Sequence, residues 1–295
     1  MTLIRRGSGR YTDDELRVLL RTESLIRVCP GVYVDAQLWR ASTPDEKYRL
    51  RIHAALGRRS SRSVASHHSA AAVLDLATLH PDRSRVHVSV NGHGGGRSTS
   101  RCVEHRVSLD DIDCVDVGGL RVTGAARTAL DLACIVSRAQ ALCVVESAYR
   151  AGAVDLVGVL DRMGRRDGIA RARTAAELAS PLTESIGESW SRALMLDWPE
   201  IPEPRLQHRF FNGRGVFVAR SDFDWKERLV GEFDGLGKYA DRESLVREKL
   251  REDALRAMGI HVVRWTWADL QQSERLRRLL NDALDRAFPG GRPNR

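Results

Sequence analysis

The stretch "SDFDWKERLVGEFDG", residues 221–235, gathers Asp222, Asp224, Glu232 and Asp234 into a run that reads as two short strands around a turn at Lys226–Glu227–Arg228. Alternation along a strand puts Asp222 and Asp224 on one face, with Phe223 and Trp225 on the other. By the same parity Glu232 and Asp234 share a face opposite Leu229 and Phe233. Paired as a hairpin, the strands bring all four carboxylates to one side, where like charges repel. Such a cluster either holds a metal ion for chemistry or is tolerated acidic surface.

The elements that must position these acids follow in the last third of the chain. A helix at "SPLTESIGESWSRALML" precedes strands at "RLQHRFF", "VFVARSDFDW" and "ERLVGEFDG", read as antiparallel. The helix "RESLVREKLREDALRAMG", the strand "IHVVRWTW" and a closing helix complete a compact α/β unit. Val246, Leu250, Ala254, Ala257 and Met258 predict the buried stripe of the long helix, and Gly259 its end. Leu276, Leu279, Leu280, Ala283, Leu284 and Ala287 do the same for the last one.

Upstream, Thr12 and Glu15 form a capping box for a helix at "YTDDELRVLLR", with Leu16, Leu19 and Leu20 facing inward. A hairpin "SLIRVCPGVYVD" turns at Pro30–Gly31. Thr43, Pro44 and Glu46 then open a second helix. A helix followed at once by a short arginine-bearing hairpin is the pattern of a winged helix, although only "MTLIRRGSGR" stands where a preceding helix is normally found. The DNA-contact candidates are Arg5, Arg6, Arg10, Arg17, Arg21 and Arg27. Arg17 and Arg21 fall on the solvent face of the helix, and Arg27 on the wing. Charge agrees: the first 109 residues carry 18 Arg and Lys against 10 Asp and Glu, and the remaining 186 carry 29 against 29. A basic segment on a neutral body points to a polyanion.

The middle of the chain offers weaker signals. Adjacent His67 and His68 face different ways on a helix and read as structural histidines or a ligandless surface pair. "NGHGGGRSTS" lacks the G-K-[ST] of a phosphate loop and reads as a flexible hairpin loop between "RVHVSV" and "RCVEHRV", with Arg97 near a DNA backbone. "GGLRVTGAARTALDLAC" predicts a strand and a buried helix, stretches near 138–151 and 155–163 two more, and "GRRDGIARARTAAELA" an arginine-rich linker. The five scattered cysteines, without C-x-x-C, predict a reducing cytoplasm and neither a disulfide frame nor a zinc site. No signal peptide and no membrane-spanning run is expected.

Together "SDFDW", "VGEFDGLGKY", "REKLREDALRAMGIHVVRWTWADL" and "ESWSRALM" resemble the very-short-patch-repair-like branch of the PD-(D/E)XK nucleases, over residues 180–270. "LIRVCPGVYV", "SHHSAAAVLDL" and "LRVTGAARTALDLA" resemble the AbiEi family of winged-helix antitoxins. The resemblances imply an α/β (α+β) fold in three parts. These are a winged helix over 1–60, an α/β middle region over 61–178, and a restriction-endonuclease-like domain over 179–295. They also imply an antitoxin that represses its own promoter, encoded beside a nucleotidyltransferase-like toxin. Glu188 takes the helix acid, Asp222 the first strand acid, and Glu232 the acid of the E-x-K strand. Asp234 stands where such a nuclease has lysine, and Lys238 is near enough in sequence to reach back into the gap.

Three or four carboxylate oxygens would suit Mg2+ or Mn2+, with Asp222, Glu232 and Asp234 as candidate ligands. An aspartate in the lysine's place repels the negative charge of a phosphoryl transition state. The favoured expectation is therefore a DNA-binding antitoxin and repressor that acts on double-stranded operator DNA, away from membranes and with no required cofactor. The alternatives are a metal-dependent endonuclease guided by the winged helix, with Glu188, Asp222, Glu232 and Lys238 as catalytic candidates, and a module that neutralises a toxin by direct binding.

Overall fold

The computed structural model describes residues 3–59, 62–92, 94–235 and 242–293, with the side chains of 242–248 left outside. The described residues form a mixed α/β protein with three sheets. At the N-terminus β1 (Ile4–Arg5) precedes α1 (Asp13–Arg21), β2 (Leu25–Cys29), β3 (Val32–Asp35), α2 (Ala36–Ala41) and α3 (Pro44–Leu56). Both expected capping boxes form: the Glu15 amide donates to Thr12 Oγ1 at 3.2 Å, and the Glu46 amide to Thr43 Oγ1 at 3.3 Å. No helix precedes α1 among the described residues. Instead β1 pairs with β3, giving the sheet order β1-β3-β2. Ile4, Leu16, Leu25 and Tyr33 make the small core beneath α1. The opposite side of the unit is α3, which turns Tyr48, Ile52 and Leu56 onto Ala65, Val86 and Val122 of the next sheet.

That sheet is built from β4 (Val64–Ala65), which leads into α4 (His67–Val73), then β5 (Val86–Asn91), β6 (Arg97–Ser98), β7 (Cys102–Val107), β8 (Cys114–Val117) and β9 (Leu120–Thr123), in the order β6-β7-β5-β4-β9-β8. The hairpin expected across the glycine-rich loop does not form. β5 and β7 run parallel, and the two residues of β6 fold back onto the outer edge of β7. Gly96 makes this return possible, because a side chain there would overlap the Glu104 carbonyl. Four helices follow: α5 (Ala125–Ala133), α6 (Arg138–Arg150), α7 (Leu156–Met163) and α8 (Ile169–Leu178). The predicted linker is thus a helix at its C-terminal half. Its arginines serve structure: Arg171 Nη1 donates to the Val136 carbonyl at 2.6 Å and the Cys134 carbonyl at 3.3 Å, satisfying acceptors just past the end of α5.

In the final third, α9 (Ile186–Leu196) is followed by β10 (Arg205–Phe211), β11 (Phe217–Trp225), β12 (Leu229–Asp234), α10 (Arg242–Ala257), β13 (His261–Thr266), α11 (Trp267–Gln271) and α12 (Ser273–Ala287). The first three strands are antiparallel as expected, and β13 returns parallel to β12 after α10. Trp225 and Trp265 fill the core, each with its indole N–H satisfied at 2.7 Å, by the Pro202 carbonyl and Ser191 Oγ. The expected stripe of α10 is rotated. Leu250 and Met258 are exposed, while Leu255 is buried and Arg251 and Glu252 lie half-buried; Val246 falls outside the described side chains. The α12 stripe is as expected, with Leu276, Leu280, Ala283, Leu284 and Ala287 buried.

Between the middle helices and the last third lies a polar seam. Glu146 of α6 is fully buried, and its carboxylate accepts from Arg192 Nη1 at 2.8 Å, Thr183 Oγ1 at 2.9 Å and the Ser180 amide at 3.1 Å. Among the described residues, no helix is long and apolar enough to cross a membrane.

Candidate functional site

The acidic run does not remain a cluster of four. Strand register places Asp222 across from Glu232, and Glu188 joins them from the first turn of α9. Burial, then the charge of Glu188, pushes the Asp222 carboxyl up to about 7. Asp222 Oδ2 accepts the Phe233 amide at 3.0 Å, while Glu188 Oε2 accepts the Glu184 amide at 2.8 Å and Gln207 Nε2 at 3.1 Å. Asp224 is buried but committed elsewhere: Arg205 lies 2.5 Å from Oδ2, and Oδ1 accepts the Glu227 amide at 3.0 Å. Asp234 ends β12 with an exposed side chain. Lys238 lies outside the described residues.

At Glu232 the repulsion foreseen from the acids is countered by groups whose role was not legible in the sequence. Arg251 of α10 meets Glu232 Oε1 at 2.7 Å, and Arg264 of β13 meets Oε2 at 3.0 Å. A divalent ion at Glu232 would have to displace two guanidiniums. Because Asp234 is exposed and apart from this ion-pair network, Asp234→Asn is expected to change stability by no more than about 0.5 kcal/mol in urea unfolding. A gain well above that would show that repulsion from Asp234 persists in the fold.

The six predicted DNA-contact arginines are all exposed. Arg6 forks onto Asp13, with Nε 2.7 Å from Oδ1, and Arg17 pairs with Asp14 one turn back. Arg5 Nη1 donates to the Gly57 carbonyl at 2.7 Å. Arg10 lies over the Tyr11 ring at 5.6 Å. Arg21 ends α1, and Arg27 stands on β2, the first strand of the following hairpin. Exposed pairs such as Arg6–Asp13 are weak in water and exchange readily for a phosphate.

The middle unit contains a cluster that the sequence reading dismissed. His67 is buried, which sets aside the surface-pair reading and agrees with the structural one. It lies at the start of α4, stacked on His105 of β7 at 3.7 Å between ring centroids, with His87 of β5 beside them. His87 Nδ1 and His105 Nε2 are 3.0 Å apart, and His67 Nδ1 lies 3.0 Å from Ser66 Oγ. Among the described residues this is the group of three whose ligand atoms all lie within 4.8 Å of one another. Burial lowers the tendency of all three rings to protonate, His87 to about 3. The cluster opens on a cavity of about 610 Å3 bounded by the glycine loop, Asp131, Arg165 and Arg166. The only sequence signal was histidine at alternating, strand-compatible positions in "RVHVSV" and "VEHRV".

Beside that cavity is a buried ion-pair network. Arg127, 1% exposed, reaches Asp113 Oδ2 at 2.9 Å, Asp131 Oδ1 at 3.1 Å and the Ser108 carbonyl at 2.9 Å. Arg162 adds to Asp113 at 2.8 Å and Arg166 to Asp131 at 2.7 Å.

No protein-family model and no curated protein matches the chain. Among solved structures it is similar to the Rv2827c protein from Mycobacterium tuberculosis, with a TM-score of 0.35 and 16% identity over 61% of this chain and 77% of that one.

Proposed function

We propose that the chain is a double-stranded DNA-binding repressor that acts at its own promoter, as the antitoxin of a pair with a nucleotidyltransferase-like toxin. The observation that carries the DNA-binding part is the exposure of four arginines of the N-terminal unit, Arg10 before α1, Arg17 and Arg21 on α1, and Arg27 on the adjoining hairpin. A basic surplus confined to the first 109 residues supplies the field that draws such a face to a polyanion. The toxin partnership rests on the AbiEi-like motifs. A cytoplasmic setting goes with five unpaired cysteines.

The endonuclease reading is favoured by one observation, the convergence of Glu188, Asp222 and Glu232. Against it stand Asp234 in the lysine's place and the two arginines that occupy Glu232, so that the acids read as a scaffold kept from nuclease ancestry.

The test is binding of the full chain to duplex DNA from upstream of its own reading frame, over a range of salt. Each phosphate contact contributes about 0.9 to the slope of log K against log salt, so the dependence is expected to be steep. Arg21→Ala is expected to weaken binding to that DNA by roughly 1–3 kcal/mol and binding to unrelated duplex by less, as for a residue that reads a base edge. Salt-insensitive binding removes the proposal. Mg2+- or Mn2+-dependent nicking that vanishes in Asp222→Ala replaces it with the endonuclease. A nucleotidyltransferase-like neighbouring reading frame supports the toxin pairing, and a methyltransferase there counts against it.

A further inference from the structure

We infer that His67, His87 and His105 form a binding site for a divalent transition-metal ion of the zinc type, with its remaining coordination position open to the adjoining cavity. The site is independent of the arginine face and of the acids on the last sheet. Its ligand atoms already lie within 4.8 Å of one another. Two nitrogens on a tetrahedral zinc, each about 2.0–2.1 Å from the metal, are separated by roughly 3.3 Å. His87 Nδ1 and His105 Nε2, at 3.0 Å, need only a few tenths of an ångström to open around an ion.

The rings come from three separate elements, each held by its own backbone: His87 and His105 by parallel strands in register two residues apart, and His67 by the first turn of α4. His67 holds a left-handed backbone, φ +50°, which an L-residue adopts at a cost and which here turns the residue into the cluster. Outside the rings, Asp131 lines the same cavity, with Oδ2 buried and without a hydrogen-bond partner.

Three imidazoles with an open fourth position is the coordination of a reactive zinc rather than a closed structural one. The cavity supplies that fourth position with water or a small anion. Arg106, Arg165 and Arg166 line it and give the anion a countercharge. Imidazole ligands suit zinc, copper, nickel and iron, and availability favours zinc.

The experiment uses tag-free full-length protein stripped of metal and dialysed against limiting Zn2+, with the ion counted by elemental analysis. Close to one zinc per chain is expected, with a rise in Tm that a chelator reverses. Co2+ in place of Zn2+ is expected to give the strong visible bands of a tetrahedral site, shifted by inorganic phosphate. His87→Gln and His105→Gln should each weaken metal binding more than about tenfold, and His208→Ala on the last sheet should leave it unchanged. The wild-type measurements stand even where a variant does not fold. Absence of stoichiometric zinc with no Tm shift overturns the inference. So does metal binding that survives both histidine variants, or cobalt spectra of a weak six-coordinate ion.

Discussion

Arg127→Ala is expected to destabilise the protein by about 3–5 kcal/mol, the largest effect of any single substitution considered for this chain. The side chain is 1% exposed and spends its three nitrogens on Asp113, Asp131 and the Ser108 carbonyl. Removing it leaves two fully buried carboxylates, each with a single remaining arginine from the rim, Arg162 or Arg166. Lysine is a poor substitute, because one ammonium cannot reproduce a planar fork aimed in three directions. Combining Arg127→Met with Asp131→Asn should recover part of the loss, since the penalty comes from orphaned charge rather than from lost volume. Urea unfolding of the wild type, Arg127→Ala and the double variant measures each step. As a reference, Arg17→Ala removes an exposed pair with Asp14 and should cost less than about 1 kcal/mol. A loss from Arg127→Ala no larger than that reference would mean that the network contributes little.

Asp222 is expected to make stability fall as pH rises toward and through neutrality. Its folded-state carboxyl is pushed up to about 7 from an ordinary value of 3.8, first by burial and then by Glu188 and Glu232. A group whose folded value lies above its unfolded one stabilises fully below the unfolded value. That contribution diminishes above about pH 4 and is gone once pH exceeds about 7. The gap of about three units corresponds to an upper limit of about 4 kcal/mol, and partial solvent access reduces it. Asp222→Asn keeps an oxygen for the Phe233 amide and removes the charge. It should therefore raise stability at pH 8 by about 1–3 kcal/mol relative to the wild type, with little difference at pH 4. Parallel denaturation series at the two pH values decide this. Equal effects at both would place the gain in packing and not in the charge.

The parts legible from sequence were those set by local chemistry. Thr12–Glu15 and Thr43–Glu46 each fix a helix start within four residues, and both formed. Strand parity put Asp222 and Glu232 on the same side of the hairpin, and the register agrees, because a hairpin's register is local. What failed depended on partners distant in sequence. The burial of α10 follows Arg251 and Leu255 rather than the apolar stripe, since Glu232 on β12 needs a cation and recruits one from the helix. Asp224 left the cluster for Arg205, its cross-strand neighbour on β10. The parallel pairing of β5 and β7 was hidden because their short connection looks like a hairpin loop. The histidine cluster was hidden with it. His87 and His105 meet only if those strands run side by side in that direction, and His67 arrives from a third element.

The buried Glu146 also bears on how the protein comes apart. Its donors Ser180, Thr183 and Arg192 all lie beyond the middle helices, so opening the last third alone would leave the Glu146 carboxyl group on α6 without them. Such an intermediate is costly, and the two regions should exchange their slowest amide hydrogens in one cooperative event. A cut near residue 179 would separate an acid from its donors. The same constraint acts over evolutionary time: neither half can be traded for an unrelated neighbour unless residue 146 changes with it.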